Sequence, residues 1–318
     1  MHLQTHRSIR PFDSCSTPLD PSWGTRKYSR EEPVTALRSP VVGRRRLGIE
    51  LRRIREDAGL TIEQVAEAIG CSVSKISRIE SANVTPAPRD VREMLELYKI
   101  RGVQLDSLVQ VAREARERSW WHAYRDARAD QATYVDFEVA VTSMLTYQMS
   151  LVPGLLQTEE YARAAIAALR PEMNAEDIER QVELRMARQS LLDREDAPTL
   201  SAILDEAVLC RVIGGSKTMA EQLRRLGEAA VSPRIELQIL PFAAGAHGGM
   251  DGAFTILGFA GQVHPDIVHL ENLTSDVYLQ RPDEIRPYRS MFDRLSKASL
   301  SPDHTPAILA GTAKLSSG

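Results

Sequence analysis

The strongest constraint on the fold is a pair of short, apolar-patterned segments joined by one glycine, Gly70. The first segment opens with Thr-Ile-Glu-Gln at residues 61–64, which fits a capping box. In this motif the threonine oxygen accepts an amide hydrogen bond and the glutamine reaches back to the cap's own amide. Its apolar face is Val65, Ala66 and Ile69, and Gly70 permits the left-handed backbone that ends a helix. The pattern predicts two short helices held at a fixed angle by a tight turn.

Ser72 is placed to cap the second of these helices, which we predict over Ser72–Ser81. At 100° per residue, Ile76 and Ile79 fix the buried direction of this helix. The residues that point the opposite way are Ser74, Ser77, Arg78 and Ser81. Such a face suits the major groove of DNA, because arginine grips guanine with two hydrogen bonds and serine bonds to bases or phosphates. A merely solvated helix face has the same composition, so the residues alone leave both interpretations open.

Three further helices are predicted around this pair. One precedes the pair and two follow it, so they are the first, fourth and fifth helices along the chain. The first has an apolar stripe that ends at a glycine, the fourth follows two prolines, and the fifth is a run with helical apolar periodicity. Their markers are Leu47, Leu51, Ile54 and Gly59 for the first, Pro86, Pro88, Val91, Leu95 and Tyr98 for the fourth, and Leu105 to about Arg118 for the fifth. Residues 44–56 hold six arginines against two acids, although the formal net charge of the chain is -3. This basic strip is weak support for a polyanionic partner.

The chain of 318 residues is long enough for two domains with tails. We predict a flexible tail over residues 1–42, which contain five prolines, and an all-α five-helix domain over 43–117. An α+β domain follows over 118–300. Its predicted helices are Thr158–Arg170, Asn174–Asp193, Met219–Ala230 and one from Pro282 through Leu295, and its strand-prone runs are Leu200–Leu209, Ile235–Ile239, Ala253–Phe259 and Ile267–Leu270. Residues 301–318 lack periodicity and are predicted to fray. The fold class is therefore α+β.

Residues 51–55, 58–66 and 76–80 resemble, in type and spacing, the lambda-repressor-like (XRE) helix-turn-helix family. The resemblance implies a regulator that binds a double-stranded DNA operator. It implies that Val73, Ser74 and Arg78 face bases, that Thr61 and Lys75 lie near phosphates, and that Arg55 pairs with Glu80 to brace the fold. The predicted DNA-binding residues are Thr61, Ser72, Val73, Ser74, Lys75, Ser77 and Arg78. Ile62 departs from the family, in which many members carry a DNA-contacting glutamine there.

Three stretches of the second domain resemble a domain of unknown function found in actinobacterial regulators. They are residues 151–162, residues 239–242 with 245–247, and residues 270–271. The same regions are similar to antitoxin-like regulators that are often encoded beside a small partner protein. The resemblance therefore implies partner binding or signal reception and names no ligand.

Enzymatic alternatives have little support in the sequence. His264, His269 and Glu271 are conceivable metal ligands, but no metal-binding motif surrounds them. Residues 214–217 (Gly-Gly-Ser-Lys) lack phosphate-loop spacing, and no Gly-x-Ser-x-Gly elbow occurs. The aromatic group Trp120, Trp121 and Tyr124 could line a ligand pocket, although aromatic side chains at helical spacing more often form a core. Cys15, Cys71 and Cys210 are predicted to be free thiols. We expect no catalysis, no metal and no cofactor.

The expected protein is a cytoplasmic regulator, because no membrane span or secretory signal is recognisable. We expect the first domain to read adjacent half-sites as a homodimer, while the second receives a partner or pairs with itself. The alternative is an antitoxin-like protein whose second domain sequesters a small partner protein and whose DNA binding is autoregulatory.

Overall fold

Five helices form the N-terminal part of the protein, as the sequence predicts. The computed structural model describes residues 40–116, 129–259 and 266–316, which belong to one compact unit. The helices are α1 (Pro40–Asp57), α2 (Ile62–Ala68), α3 (Val73–Glu80), α4 (Pro88–Leu97) and α5 (Gly102–Glu114). They enclose a core of completely buried side chains that includes Leu47, Leu51, Val65, Ile76 and Met94.

The N-termini of α2 and α3 are capped by the predicted residues. The amide of Thr61 donates to Oε1 of Gln64 at 2.8 Å, and the amide of Gln64 donates to Oγ1 of Thr61 at 3.3 Å, which completes the capping box of α2. Oγ of Ser72 accepts from the amide of Lys75 at 3.2 Å and caps α3. Gly70 has a φ of +66°, the left-handed conformation that lets the chain turn from α2 to α3.

A six-stranded mixed sheet forms the centre of the C-terminal part. Its strands are β1 (Ser143–Gln148), β2 (Thr199–Asp205), β3 (Ile235–Leu240), β4 (Phe254–Gly258), β5 (Ile267–Glu271) and β6 (Asp276–Leu279), in the spatial order β3-β2-β1-β4-β5-β6. The pairs β1–β2 and β2–β3 are parallel, whereas β1–β4, β4–β5 and β5–β6 are antiparallel. Together with the flanking helices, this sheet confirms the α+β class.

Helices pack on both faces of the sheet. They are α6 (Ala129–Glu138), α7 (Glu159–Leu169), α8 (Ala175–Gln189), α9 (Glu206–Cys210), α10 (Ser216–Ala229), α11 (Pro282–Ala298) and α12 (Thr305–Ser316). One core lies under the face that bears Met144 and Leu200, and it includes side chains of α7 and α10. The other lies under the face that bears Tyr147 and Ile203, and it is covered by side chains of α11.

The predicted C-terminal tail is wrong for residues 302–316. A short 3₁₀ turn at Pro302–His304 leads into α12, where Leu309 is completely buried in the core beside α10. Oγ1 of Thr305 donates to the carbonyl of Leu237 at 2.6 Å, which fixes the start of α12 against β3. Ile308, Leu309 and Ala313 of α12 pack into a core that also contains side chains of β3 and α10, and this packing orders the segment.

The prediction of a flexible tail over residues 1–42 is also wrong for residues 40–42, because α1 already begins at Pro40. Val41 and Val42 pack against the core of the C-terminal part, so these residues are helical and partly buried. The rest of the predicted tail lies outside the described residues. The sequence prediction also lacked β1, β6, α6 and α9, and its run Leu200–Leu209 is divided into β2 and α9 at Asp205, which caps α9.

Candidate nucleic-acid interface

The outer face of α3 is open to solvent, and its inner face is fully packed. Ile76 and Ile79 are 0% and 1% exposed, which fixes the rotation of the helix about its axis. The opposite side exposes the side chains that the sequence assigns to it, namely Ser74, Ser77 and Arg78, and Ser72 and Val73 are exposed at the start of the helix. The arrangement presents hydroxyl groups, one guanidinium group and one small apolar side chain on a single short helix. These are the groups that read base edges and phosphates.

The two residues predicted to lie near phosphates have different surroundings. Thr61 is exposed at the start of α2, and its hydroxyl already accepts the capping hydrogen bond from Gln64. Nζ of Lys75 lies 2.7 Å from Oδ2 of Asp90 on α4, so this ammonium group is held in an intramolecular ion pair. Ile62, where the resembling family carries a polar contact, is half-buried against the helical core. Position 62 therefore contributes to packing in this chain.

Arg55 on α1 and Glu80 at the end of α3 form a buried bidentate ion pair. Nε of Arg55 donates to Oε1 of Glu80 at 2.7 Å, and Nη2 donates to Oε2 at 2.9 Å. Nη1 of Arg55 also donates to the carbonyl of Leu60 at 2.8 Å, in the connection between α1 and α2. The hydrogen bonds to Glu80 raise the pKa of Arg55 despite its burial. One guanidinium group thus fixes the end of α3 to both α1 and the α1–α2 turn.

Gly48 holds α1 close to α3, a packing role that the sequence did not reveal. It lies in the middle of α1, and a Cβ atom at this position would lie 2.7 Å from the carbonyl oxygen of Glu80 and 2.8 Å from that of Ile79. Only a glycine therefore allows α1 to approach the C-terminal end of α3 this closely. The available signal was a glycine inside the apolar stripe of a helix, a position where glycine is otherwise unfavourable.

The arginine strip of α1 is largely engaged in contacts within the protein. Arg52 pairs with Glu56, and Arg53 pairs with Glu50 and Asp57. Nη1 of Arg44 donates to Oγ1 of Thr85 at 3.0 Å, and the guanidinium carbon of Arg45 lies 4.8 Å from the ring centroid of Phe137 on α6. Burial, and to a smaller extent the neighbouring charge of Arg44, lower the pKa of Arg45 to about 10. The strip therefore supports the fold more than it forms a free basic surface.

Only some of the residues weighed for catalysis lie in the described part of the chain. Within residues 40–116, 129–259 and 266–316, no group of histidine, cysteine and acidic side chains is arranged to hold a metal ion. His269 stacks between Tyr134 and Tyr278, with ring centroids 4.5 and 5.1 Å away. His264, Cys15 and the aromatic residues Trp120, Trp121 and Tyr124 lie outside the described residues. Cys71 and Cys210 are free thiols. Of the helices described, none is long and apolar enough to cross a membrane.

Two protein families match the chain. A family of helix-turn-helix domains matches residues 46–108, which span most of α1 through the first half of α5 and include α2 and α3. No curated protein and no solved structure matches the chain. The second matching family is a domain of unknown function (DUF5753). It covers residues 131–311, which are more than half of the 318 residues. The protein is therefore a helix-turn-helix protein, of the architecture found in DNA-binding regulators, and it belongs to the DUF5753 family.

Proposed function

We propose that the protein is a sequence-specific, double-stranded DNA-binding transcriptional regulator of the lambda-repressor-like (XRE) type that acts in the cytoplasm. In this proposal α3 enters the major groove. Val73, Ser74 and Arg78 read base edges, while Ser72, Ser77, Thr61 and Lys75 contact the backbone or neighbouring bases. The observation that carries the proposal is the exposed outer face of α3 on a helix whose inner face is completely buried.

The proposal is supported by the way α3 is held. A serine cap at its start, two buried isoleucines in its middle, and the Arg55–Glu80 pair at its end together fix its position and rotation. A recognition helix has to be rigid, because each hydrogen bond to a base edge tolerates little displacement of the side chain. Arg78 is the side chain on this face that can grip guanine with two hydrogen bonds, so it carries the largest share of base discrimination.

The test is to select an operator from random duplex DNA with the full chain and then to footprint variants on it. Arg78→Ala should weaken Kd about tenfold or more and relax the preference at one base position. The matched control is Arg286→Ala, because Arg286 is exposed on α11 in the C-terminal part. If Arg78→Ala protects the same sequence with the same preference, α3 is not the reading helix.

We further propose that the protein binds DNA as a homodimer, since helix-turn-helix proteins of this type read two half-sites about one helical turn apart. A selected operator with two related half-sites, bound by two chains in light scattering of the complex, would support this stoichiometry. A single half-site bound by one chain would reject it.

A second candidate is an antitoxin-like role, in which the C-terminal part sequesters a small partner protein. It is favoured by Phe242 and Met250, whose side chains are 60% and 63% exposed on two short 3₁₀ turns after β3. The candidate requires these two side chains to form one contiguous apolar patch, which is typical of protein-binding surfaces. The full chain purified from its native host should retain a small protein that the double variant Phe242→Ser, Met250→Ser loses. Val103→Ser, an exposed apolar position on α5, is the control. Equal retention by the double variant would reject this surface.

A further inference from the structure

A cavity lies between the sheet and α8 in the C-terminal part, away from α3. Its volume is about 170 Å³. The floor is the face of β1 that bears Thr146 and Gln148, and one wall is the loop through Gly154 and Gln157. A cavity of about 150 Å³ holds a ligand the size of benzene, so this volume suits a small molecule of amino-acid size.

Two arginines on α8, three residues apart, face this cavity and have different partners. Arg188 donates to both carboxylate oxygens of Glu138 on α6, at 2.6 and 2.7 Å, so its charge is neutralised. Arg185 donates through Nη1 to the neutral oxygen Oε1 of Gln157 at 2.8 Å. Within the described part of the chain, no acidic side chain forms an ion pair with Arg185. The cavity wall thus presents one guanidinium group whose hydrogen-bond partner is neutral.

Burial and a neighbouring like charge both disfavour the charged form of Arg185. Burial lowers the pKa of Arg185 to about 10, and the nearby positive charge of Arg188 lowers it in the same direction. A half-buried cation beside another cation destabilises the folded chain, which is common for groups that are preorganised for a ligand. A bound carboxylate would accept hydrogen bonds from the remaining guanidinium N–H groups and supply the missing negative charge.

The same cavity also has an acidic side. Glu271 ends β5 and Asp276 begins β6, and both side chains line the cavity. Oδ2 of Asp276 lies 3.4 Å from Nε2 of His269, which is buried and makes no hydrogen bond. Glu271 raises the pKa of Arg185 without forming an ion pair with it. Separated charges of both signs disfavour a simple anion, because an anion on Arg185 would be repelled by these two carboxylates.

Gly154 leaves space beside the two guanidinium groups. A Cβ at this position would lie 3.9 Å from both Nε of Arg185 and Nη2 of Arg188, so a longer side chain would extend in front of them. The absence of a side chain at residue 154 keeps the cationic wall accessible.

We propose that this cavity binds a zwitterionic molecule of amino-acid size, with its carboxylate on Arg185 and its ammonium group toward Glu271 and Asp276. The paired charges of such a ligand match the cavity, in which an unneutralised guanidinium group and two carboxylates line one small space. The proposal is independent of the DNA-binding function, since none of these residues lies in the helix-turn-helix domain.

The test uses the full chain and isothermal titration calorimetry with each of the twenty common L-amino acids. Propionate and ethylamine are the matched probes that carry only the carboxylate or only the ammonium group. At least one amino acid should bind, and both half-probes should bind at least tenfold more weakly. Arg185→Gln should weaken the binding of that amino acid about tenfold or more, whereas Arg286→Gln, at an exposed arginine on α11, should leave it unchanged.

Gly154→Leu tests the same cavity by filling the space beside Arg185 with a side chain. This variant also keeps the test possible if Arg185→Gln fails to fold. It should abolish amino-acid binding while the folded state, followed by circular dichroism, is retained. The proposal is overturned if none of the twenty amino acids binds, if propionate binds as tightly as the best amino acid, or if folded Gly154→Leu still binds it with unchanged Kd.

Discussion

Gly48 of α1 and Glu80 of α3 meet through their backbones, because a Cβ at Gly48 would lie only 2.7 Å from the carbonyl oxygen of Glu80. The side chain of the same Glu80 is held by Arg55, about two turns further along α1. The two contacts act on one end of the candidate recognition helix. Its position is therefore set by α1 as much as by the turn that precedes it.

Gly48→Ala should destabilise the protein by about 1–3 kcal/mol, since the added methyl group forces α1 and α3 apart in a packed region. The matched control is Gly43→Ala in the same helix, where the nearest atom to the new Cβ is 3.9 Å away. That substitution should stabilise by about 0.5–1 kcal/mol through helix propensity. Urea unfolding of both variants measures the difference. Equal effects would show that the close approach of α1 and α3 has no energetic consequence.

The Arg55–Glu80 pair should be sensitive to removal of one partner. Arg55→Met leaves a buried carboxylate unpaired and should cost about 3–5 kcal/mol of unfolding free energy. The double variant Arg55→Met, Glu80→Leu should regain most of that loss, because no uncompensated charge remains. Arg52→Met breaks the exposed Arg52–Glu56 pair and should leave stability unchanged. A double variant as unstable as Arg55→Met would contradict this account.

Arg185 and Arg188 should respond in opposite ways to the same substitution. Arg188→Met strands Glu138, which is 1% exposed, and should destabilise by about 3–5 kcal/mol. Arg185→Met removes a cation without a counter-ion and should stabilise the ligand-free chain, by an amount on the order of 1–3 kcal/mol. Thermal and urea unfolding at pH 7 compare the two variants, and a loss of stability in both would be inconsistent with an unneutralised Arg185.

The pH dependence of this effect has a definite sign. The folded pKa of Arg185 is lowered to about 10, so above that pH the unfolded chain binds more protons at this residue than the folded chain. The penalty is fully present below pH 10 and falls as the pH rises from 10 toward the ordinary value of 12.5. The stabilisation given by Arg185→Met should therefore be largest near neutral pH and shrink above pH 10.

Lys75 should contact DNA more strongly when its intramolecular partner is removed. Asp90→Asn breaks the pair with Nζ of Lys75 and should tighten DNA binding. The slope of the logarithm of the binding constant against the logarithm of the salt concentration should steepen by up to about 0.9, the value of one added phosphate contact. Asp106→Asn removes the same charge from an exposed position on α5 and is the control. Equal slopes for the two variants would place Lys75 away from the phosphates. Titrations at several salt concentrations measure the slopes.

The local features of the helical domain could be predicted because they depend on neighbouring residues. The Thr61 capping box, the Ser72 cap and the inward direction of Ile76 and Ile79 follow from spacing alone, and the structure has all of them. The contact of Gly48 with α3 and the pairing of Lys75 with Asp90 depend on how distant helices cross, which spacing does not specify.

The cavity was beyond prediction for the same reason. Arg185 and Arg188 are identical residues on one helix, and they differ because Glu138, fifty residues earlier, reaches only one of them. The strand order places β4 between β1 and β5, so Thr146 and His269 line one cavity although they are far apart in sequence. The error at residues 302–316 also arose from distance, because β3 and α10 complete the core that buries Leu309.

Helix α1 belongs to two hydrophobic cores at once. Val41 and Val42 pack with the C-terminal part, Leu47 and Leu51 pack with the helical domain, and Arg45 between them covers the ring of Phe137. Phe137 is on α6, whose Glu138 forms part of the cavity wall. Helices α6 and α1 thus connect the cavity to α3 through direct contacts, from Glu138 and Phe137 to Arg45 and on to Gly48, which abuts α3.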